Sequence, residues 1–410
     1  MISANEAYEV IFKETAPLGQ EEVPLPEARG RFLSSPIFAP IDLPPFDNAA
    51  MDGYAVVSRD TERGFPASPI RLKVVACLAA GTSQKLPLLR SGEAVRLMTG
   101  APMPEGADAV VPFEEASDEN GFCRIAGKVS RGSDVRVKGE DVQKGQRVLE
   151  KGQLITPRTI ALLAALGISK VSVFKKPRVA LIVTGDELVE VGRSLSPGKI
   201  YNSNGPALVA ALQELGIDPE TVTIVPDSEE DLRGEFLKNL DSDLLITVGG
   251  VSAGDYDLIP KVLKELGAKI IFHKVSIKPG KPLLFATLVR AYLDTPLLVF
   301  SLPGNPVSAL MVFDRFVRPA LLKMIGSRNP LRLRRSAIAE AELHGSQGKE
   351  VYLRGIVEYR EGKYFARSAG PQGSAHLLPL AEANAVLVIP AEKGTIRPME
   401  SLKFEFLGER

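Results

Sequence analysis

A glycine-rich loop with an acidic end is the first segment whose residue types could do chemistry. It reads GGVSAGDYD at positions 249–257, after the apolar run 244–248 and before a helical pattern. Backbone N–H groups of such a loop can approach an anion closely, and a helix N-terminus favours negative charge. Asp257 would repel that anion unless a cation lies between them, and Mg²⁺ prefers a few carboxylates together with phosphate oxygens. The residues expected to cradle a phosphate are Gly249, Gly250, Ser252 and Gly254.

Three more apolar runs end in polar residues, and these ends are candidate ligand contacts. One run leads into TGDEL at 184–188, one leads into LPGNP at 302–306, and one is followed closely by Asp227. Ligands of an open parallel sheet lie outside the carboxyl ends of its strands, so these segments are expected to meet the glycine-rich loop. The structural alternative is glycines in left-handed turns and acids that interact only with helix dipoles. Several such loops together favour a ligand site, and the lack of a GxxxxGK[ST] run argues against a P-loop nucleotidase.

A basic turn, SIKPGKPLL at 276–284, places Lys278 and Lys281 on either side of a Pro-Gly pair. The turn would order two ammonium groups that can meet a phosphate or another oxyanion. A solvated surface turn is the alternative, but the position directly after a core strand favours a functional role.

Acids and a hydroxyl also recur in the N-terminal third. PPFDNAAMDGYAV contains Asp47 and Asp52 around small residues, and a solvated turn would not need Met51 between them. RLMTGAPMPEGADAVVP offers the hydroxyl of Thr99 in a loop stiffened by prolines, and RVKGEDVQKGQ adds the acid Asp141. Each segment alone is equally compatible with a turn capped by aspartate.

Composition excludes several classes of protein. The 410 residues hold 50 basic and 50 acidic side chains, so no basic field indicates nucleic acid or an anionic membrane. No stretch approaches the ~18 apolar residues that span a bilayer, and charges interrupt the first fifteen residues, unlike a signal peptide. Two cysteines, Cys77 and Cys123, fit a reducing cytoplasm, which is the expected location. The three scattered histidines argue against a His/Cys zinc cluster.

Hydrophobic periodicity predicts a multidomain α/β protein. Residues 3–15 have an amphipathic helical pattern, and short apolar runs broken by Gly and Pro at about 50–150 suggest a β-rich module. A helix is expected after the capping residue Thr156. From Pro177 onwards strands alternate with helices, which predicts a doubly wound central domain with a parallel-type sheet. Alternation and turns after about 328 predict a small C-terminal β domain.

The expected boundaries follow these changes in pattern. They are 1–44 with 142–174 for a small helical or linker domain, 45–141 for the β-rich domain, 175–326 for the α/β domain, and 327–410 for the C-terminal β domain.

In combination, the motifs resemble one family. They occur in the order seen in the molybdopterin molybdenumtransferases, the MoeA family, which is similar to the E domain of gephyrin: DNAAMDGYA, RLMTGAPMPEGADAVV, GEDV, TGDEL, GGVSAGDYD, IKPGKP and LPGNPVS. The resemblance covers essentially the whole chain. It implies that molybdate is inserted at the dithiolene sulfurs of adenylylated molybdopterin, with release of AMP and with Mg²⁺ present. Residues 175–326 would then bind molybdopterin.

The resemblance also implies a homodimer with each active cleft formed between two chains. Asp52 and Thr99 would reach the central domain of the partner. Further cofactor-assembly proteins are possible partners in this reading, and neither nucleic acid nor a membrane is expected. One departure is Ala49, which stands where many members have serine.

The resemblance also implies roles for individual residues, wherever a position of this chain matches a motif of the family. The positions matched to catalytic residues are Asp52, Thr99, Asp141, Glu187, Asp227 and Asp257. The acids expected to hold Mg²⁺ are Glu187, Asp227 and Asp257. The positions expected to bind substrate are Thr184, Gly249, Gly250, Ser252, Gly254, Lys278, Lys281, Pro303, Asn305, Pro306, Arg354 and Ser374.

Three other functions remain open at this point. A molybdopterin adenylyltransferase would use the central domain and leave the N-terminal motifs without a role. A non-catalytic pterin-binding scaffold would have no need of the acids at 52, 187, 227 and 257. A general sugar- or nucleotide-binding α/β protein would show no dependence on molybdate.

Overall fold

A computed structural model of the chain describes residues 1–83, 85–250, 258–290 and 295–408. Its centre is a six-stranded sheet whose strands lie in the order Thr221–Val225, Val179–Thr184, Leu244–Val248, Leu297–Leu302, Leu284–Leu288 and Lys269–Phe272. The first four strands are parallel. Leu284–Leu288 runs antiparallel to both of its neighbours, so the sheet is mixed where a parallel one was expected.

Helices cover both faces of this sheet, which buries its strands almost completely. One face packs against the helices Ala4–Glu14, Asn204–Glu214, Pro306–Val312 and Arg318–Met324. The other face packs against Glu229–Lys238 and Leu258–Glu265. A π-helical turn, Phe313–Val317, joins Pro306–Val312 to Arg318–Met324. The first helix begins with a capping box of Ser3 and Glu6 and places Ala7 and Ile11 in the central core.

The N-terminal half contains a second six-stranded sheet. Its order is Ala109–Pro112, Gly53–Val56, Glu93–Leu97, Ile70–Leu78, Phe122–Ile125 and Ala116–Glu119. Three strand pairs connect it to the centre: Asn48–Ala49 with Val135–Arg136, Ile37–Phe38 with Arg147–Leu149, and Gln20–Pro24 with Lys170–Phe174. The helix Pro157–Ala165 begins at the predicted cap, Thr156. Short 3₁₀ turns lie at Leu25–Glu27, Ser58–Thr61 and Phe113–Glu115.

The C-terminal sheet closes on itself as a five-stranded barrel. Its strands, in order around the barrel, are Glu350–Arg360, Lys363–Ser368, Arg335–Ala339, Ser401–Phe406 and Ala385–Ile389. Ile277–Lys278, a strand from the central part of the chain, pairs with the start of Glu350–Arg360. The remaining elements are the pairs Leu188–Val189 with Ile200–Tyr201 and Leu343–His344 with Thr395–Ile396, and the helix Leu378–Glu382.

Within the described residues, every helix is too short or too polar to traverse a bilayer.

Candidate active site

A cavity of about 550 Å³ opens at the carboxyl ends of the parallel strands. The four strand ends meet there because they share one edge of the sheet, as the sequence pattern predicts. The candidate residues that the structure brings together around it are Thr184, Glu187, Asp227, Gly249, Gly250, Pro303, Asn305 and Pro306. The candidates Ser252, Gly254 and Asp257 lie outside the described residues.

Two strand ends approach each other so closely at Gly249 that a side chain there would clash. The φ of Gly249 is +95°, and a Cβ atom added there would lie 2.5 Å from the carbonyl oxygen of Thr184 and 2.7 Å from its hydroxyl. The Gly249 N–H donates to the carbonyl of Leu302 at 3.1 Å. The glycine therefore ties three neighbouring strands together at the floor of the cavity.

Polar atoms without protein partners face this region. Oγ1 of Thr184 and Oδ1 of Asn204 are buried and have no hydrogen-bond partner among the described residues. Nδ2 of Asn204 donates to the carbonyl of Gly304 at 2.7 Å, which fixes the amide beside the LPGNP loop. Buried polar groups are nearly always paired in folded proteins, so this hydroxyl, which can donate or accept, and this amide oxygen, which accepts, are candidate contacts for a bound ligand.

The acids of the cavity fit a divalent cation together with a phosphate. Glu187 and Asp227 are both exposed and line the same cavity. The Asp227 N–H donates to Oδ1 of Asp186 at 3.2 Å, and the absence of a side chain at Gly185 leaves room for the Glu187 carboxylate. The described residues contain no group of three or more His, Cys, Asp or Glu that could hold a metal by themselves. Two carboxylates supplemented by phosphate oxygens are nevertheless a ligand set that Mg²⁺ accepts.

A second cavity, of about 770 Å³, lies between the central domain and the C-terminal barrel. Lys278, Lys281 and Ser374 line it, and Pro282 lines both this cavity and the first one. Gly280 holds the basic turn against the helix Pro306–Val312, because its φ is +97° and an added Cβ would lie 2.4 Å from a methyl group of Val312. The two ammonium groups are thus presented on a rigid turn that adjoins the acidic cavity.

Arg354 has a different position from the one expected. Its side chain is fully buried in the barrel, and it is not among the residues that line the second cavity. The guanidinium donates to the carbonyls of Pro371 at 2.7 Å, Gly373 at 3.1 Å and Gln372 at 3.2 Å, and burial lowers its pKa. Arg354 therefore shapes the loop that carries Ser374 and makes no direct contact across the cavity in this arrangement.

Replacing Arg354 by methionine is expected to lower the free energy of unfolding by about 2–4 kcal/mol, because three loop carbonyls lose a charged donor. Urea denaturation followed by circular dichroism measures this change. Arg367→Met is the matched control, since Arg367 is about half exposed and lies 3.7 Å from Glu358; it should change stability by less than ~0.5 kcal/mol. Equal losses in both variants would show that the loop does not depend on Arg354.

Asp52 and Thr99 form a separate pair in the N-terminal sheet domain. The backbone N–H and the hydroxyl of Thr99 both donate to Oδ1 of Asp52, at 2.6 and 2.7 Å, and these bonds lower the pKa of the carboxyl group. Both residues are exposed, and neither they nor the exposed Asp141 line the two cavities. Within one chain, these three candidates therefore do not join the others. Ala49 is fully buried in an apolar cluster with Leu97 and belongs to the core.

Three contributors to the site were not predicted from the sequence. Asp186 lies within TGDEL but only its neighbours were assigned, whereas its carboxylate fixes the backbone of Asp227. Asn204 begins a helix and reads as an ordinary helix start. Gln372 bonds both the N–H and the carbonyl of Arg354 through its amide, at 2.9 and 3.0 Å, and nothing in the spacing of PQGS indicates this.

Comparison with known proteins accounts for this combination of domains. Three family descriptions match consecutive parts of the chain: the MoeA N-terminal region (domain I and II) at 2–167, the probable molybdopterin binding domain at 180–323, and the MoeA C-terminal region (domain IV) at 336–407. The chain is 39% identical over 377 residues to molybdopterin molybdenumtransferase 2 of Mycobacterium tuberculosis, which covers 90% of this chain and 91% of that protein. The chain belongs to the molybdopterin molybdenumtransferase family.

Other members of the molybdopterin molybdenumtransferase family agree along nearly the full length. The relative from Nostoc sp. is 37% identical over 393 residues, which are 95% of this chain and 89% of that protein. The crystal structure of the molybdopterin biosynthesis moeA protein from Pyrococcus horikoshii OT3 superimposes with a TM-score of 0.83 at 30% identity, and the match covers 99% of this chain and 100% of that one. The family and the multidomain α/β architecture indicated by the motifs are confirmed.

Proposed function

We propose that this protein transfers molybdenum into molybdopterin, with molybdate and adenylylated molybdopterin as its substrates and AMP as a product. The observation that carries the proposal is the junction of two cavities at Pro282. One cavity has the glycine-rich floor and the acids suited to a phosphate and its cation. The other has three lysines, Lys278, Lys281 and Lys349, together with Ser374, which suit an oxyanion.

The proposed reaction needs both cavities, one for the phosphate with its cation and one for the oxyanion. Molybdate is a dianion, so its site requires positive charge and hydrogen-bond donors, which Lys278, Lys281 and Ser374 supply. The sulfurs that bind molybdenum belong to the pterin, which explains why the enzyme needs no cysteine there. When the two thiols of the pterin bind molybdenum, their two protons leave with one molybdate oxygen as water, and a second water molecule cleaves the phosphate–phosphate bond to free AMP.

Mg²⁺, held by Glu187 and Asp227 with Asp257 as the further proposed ligand, would neutralise phosphate charge at that bond. The protein's own part is to position the two anions side by side and to exclude water from the pterin sulfurs. The buried hydroxyl of Thr184 and the buried amide oxygen of Asn204 would contact polar groups of the pterin. We propose four domains for this function, with the boundaries given by the sequence pattern: 1–44 with 142–174, 45–141, 175–326 and 327–410.

The direct test is AMP release from adenylylated molybdopterin with and without molybdate. We expect release to depend on molybdate and on Mg²⁺, and not to require ATP. Formation of adenylylated molybdopterin from ATP and molybdopterin would instead identify an adenylyltransferase. Tight binding of the pterin without AMP release would identify a scaffold.

We further propose that the protein is a homodimer in which Asp52 and Thr99 complete the cleft of the partner. The separation of this pair from the two cavities within one chain supports the proposal.

Two inactive variants should then complement each other. Asp52→Asn and Asp227→Asn are each expected to be inactive, whereas their co-expressed mixture should recover about a quarter of the wild-type activity, because half of the dimers would contain one intact cleft of two. AMP release by the purified mixture measures this. A mixture that stays as inactive as either variant alone would contradict a cleft shared between chains.

A further inference from the structure

A third cavity, of about 270 Å³, is lined in part by Leu310 and Met311 of the helix Pro306–Val312 and shares no lining residue with the two substrate cavities. Its walls come from the helix Asn204–Glu214, from the helices on either side of the π-helical turn, and from the C-terminal domain. Most of the wall is aliphatic, with Ala207, Ala210, Ala211, Leu310, Leu380 and Val386. Three alanines at these positions create the space that larger side chains would fill.

Four charged residues also line this cavity, namely Glu214, Asp314, Arg318 and Arg332, and the position of Arg318 is the one that indicates a ligand. Arg318 begins the helix Arg318–Met324, directly after the π-helical turn, and is only 6% exposed. Its Nη1 atom is buried and finds no hydrogen-bond partner among the described residues. Burial lowers the pKa of Arg318 to about 10, so the guanidinium remains charged at neutral pH.

The negative charges of Asp314 and Glu405 act on Arg318 from nearby, but both carboxylates make their hydrogen bonds to other arginines. Asp314 accepts from Nε of Arg332 at Oδ1, at 2.8 Å, and from Nε of Arg315 at Oδ2, at 3.0 Å. Glu405 accepts from Nε of Arg334 at 3.0 Å and from Nη1 of Arg315 at 2.5 Å. A buried charge without a partner is among the most costly features a folded protein can contain.

We propose that this cavity binds a small aliphatic monocarboxylate, with its carboxylate on Arg318 and its carbon chain against the three alanines. A carboxylate matches the guanidinium fork, and the aliphatic part of the wall suits a hydrocarbon chain. The volume suits an acid of a few carbons. Glu214 at the exposed rim disfavours a second negative charge on the ligand. Because Val386 and Leu380 belong to the C-terminal domain, such a ligand would bridge that domain and the central one.

Thermal unfolding with sodium butanoate as the probe tests the proposal. At ~50 mM butanoate we expect the Tm of the full-length protein to rise by about 2–4 °C over sodium chloride of equal ionic strength. Sodium phosphate should give no rise beyond that of chloride. Arg318→Met, which removes the charge, and Ala211→Leu, which fills the space, should each abolish the response. Lys281→Ala should retain it, because the basic turn belongs to the other cavity.

Several results would overturn the proposal. They are the absence of a butanoate response in the wild type, a response retained by Arg318→Met or by Ala211→Leu, and an equal response to phosphate. Should Arg318→Met fail to fold, Ala211→Leu decides the matter, with saturation-transfer NMR of butanoate as the second measurement. The outcome is independent of the transferase assay, since neither variant changes a residue of the two substrate cavities.

Discussion

Replacing Asp52 by asparagine is expected to reduce molybdate-dependent AMP release at least ~100-fold, the usual cost of losing one electrostatic contact to a transition state. Both Thr99 hydrogen bonds end on Oδ1, so an asparagine that keeps this oxygen can keep both bonds. Only the free oxygen, Oδ2, and the negative charge are lost. The free energy of unfolding should therefore stay within ~0.5 kcal/mol of the wild type.

Asp60→Asn is the matched control for this experiment. Asp60 lies in the same domain and also accepts from a hydroxyl and a backbone N–H, those of Ser91 at 2.7 Å and Gly92 at 2.8 Å. Its two bonds use both oxygens, so the substitution loses one bond and should cost about 1 kcal/mol of stability without loss of activity. Retained activity in Asp52→Asn, or equal activity losses in the two variants, would exclude a direct role for Asp52.

The pH profile should agree with this role. The Thr99 bonds lower the pKa of Asp52, so its carboxylate stays charged below the ordinary aspartate range. Activity should not fall through protonation of Asp52 until the pH is below about 4.

Replacing Gly249 by alanine is expected to lower the free energy of unfolding by about 2–4 kcal/mol and to weaken pterin binding strongly. A positive φ costs an alanine about 1 kcal/mol, and the contact of 2.5 Å with the Thr184 carbonyl adds the cost of moving a strand end. The displaced strand end carries Thr184 and adjoins Glu187. Urea denaturation and calorimetric titration with molybdopterin measure the two effects.

The variant Gly192→Ala separates the cost of a positive φ from the cost of the close strand contact. Gly192 has a φ of +91°, close to that of Gly249, but an added Cβ there would meet nothing within 4 Å. It should lose only about 1 kcal/mol and bind the pterin normally. A Gly249→Ala variant as stable as Gly192→Ala would show that the close strand contact is not important.

Local patterns were sufficient for most of the central elements. Strand Val179–Thr184 and helix Asn204–Glu214 lie where apolar runs and helical periodicity predicted them. The antiparallel direction of Leu284–Leu288 was not predicted, because an apolar run carries no direction. The short connection from 289 to 296 could have indicated it, since parallel neighbours need a crossover of a dozen residues or more.

The site was less accessible to sequence reasoning because it depends on contacts between distant segments. The loops at the strand ends could be placed together, since the topology of a parallel sheet brings them to one edge. Arg354 could not be placed, because an arginine in an alternating strand pattern does not reveal that its head group is buried under a loop. Similarly, the amphipathic pattern of residues 3–15 predicted a helix but not that this helix packs into the central core.

The pairing of Ile277–Lys278 with Glu350–Val351 has a consequence for the order in which the protein becomes competent during synthesis. The segment that carries the two lysines leaves the ribosome well before the barrel strand that anchors it. A nascent chain can therefore complete the glycine floor and acids of the central domain while its basic turn still lacks a neighbour on that side. If the basic turn binds molybdate as proposed, this binding would be complete only when the final domain has folded, so an unfinished chain would not sequester molybdate.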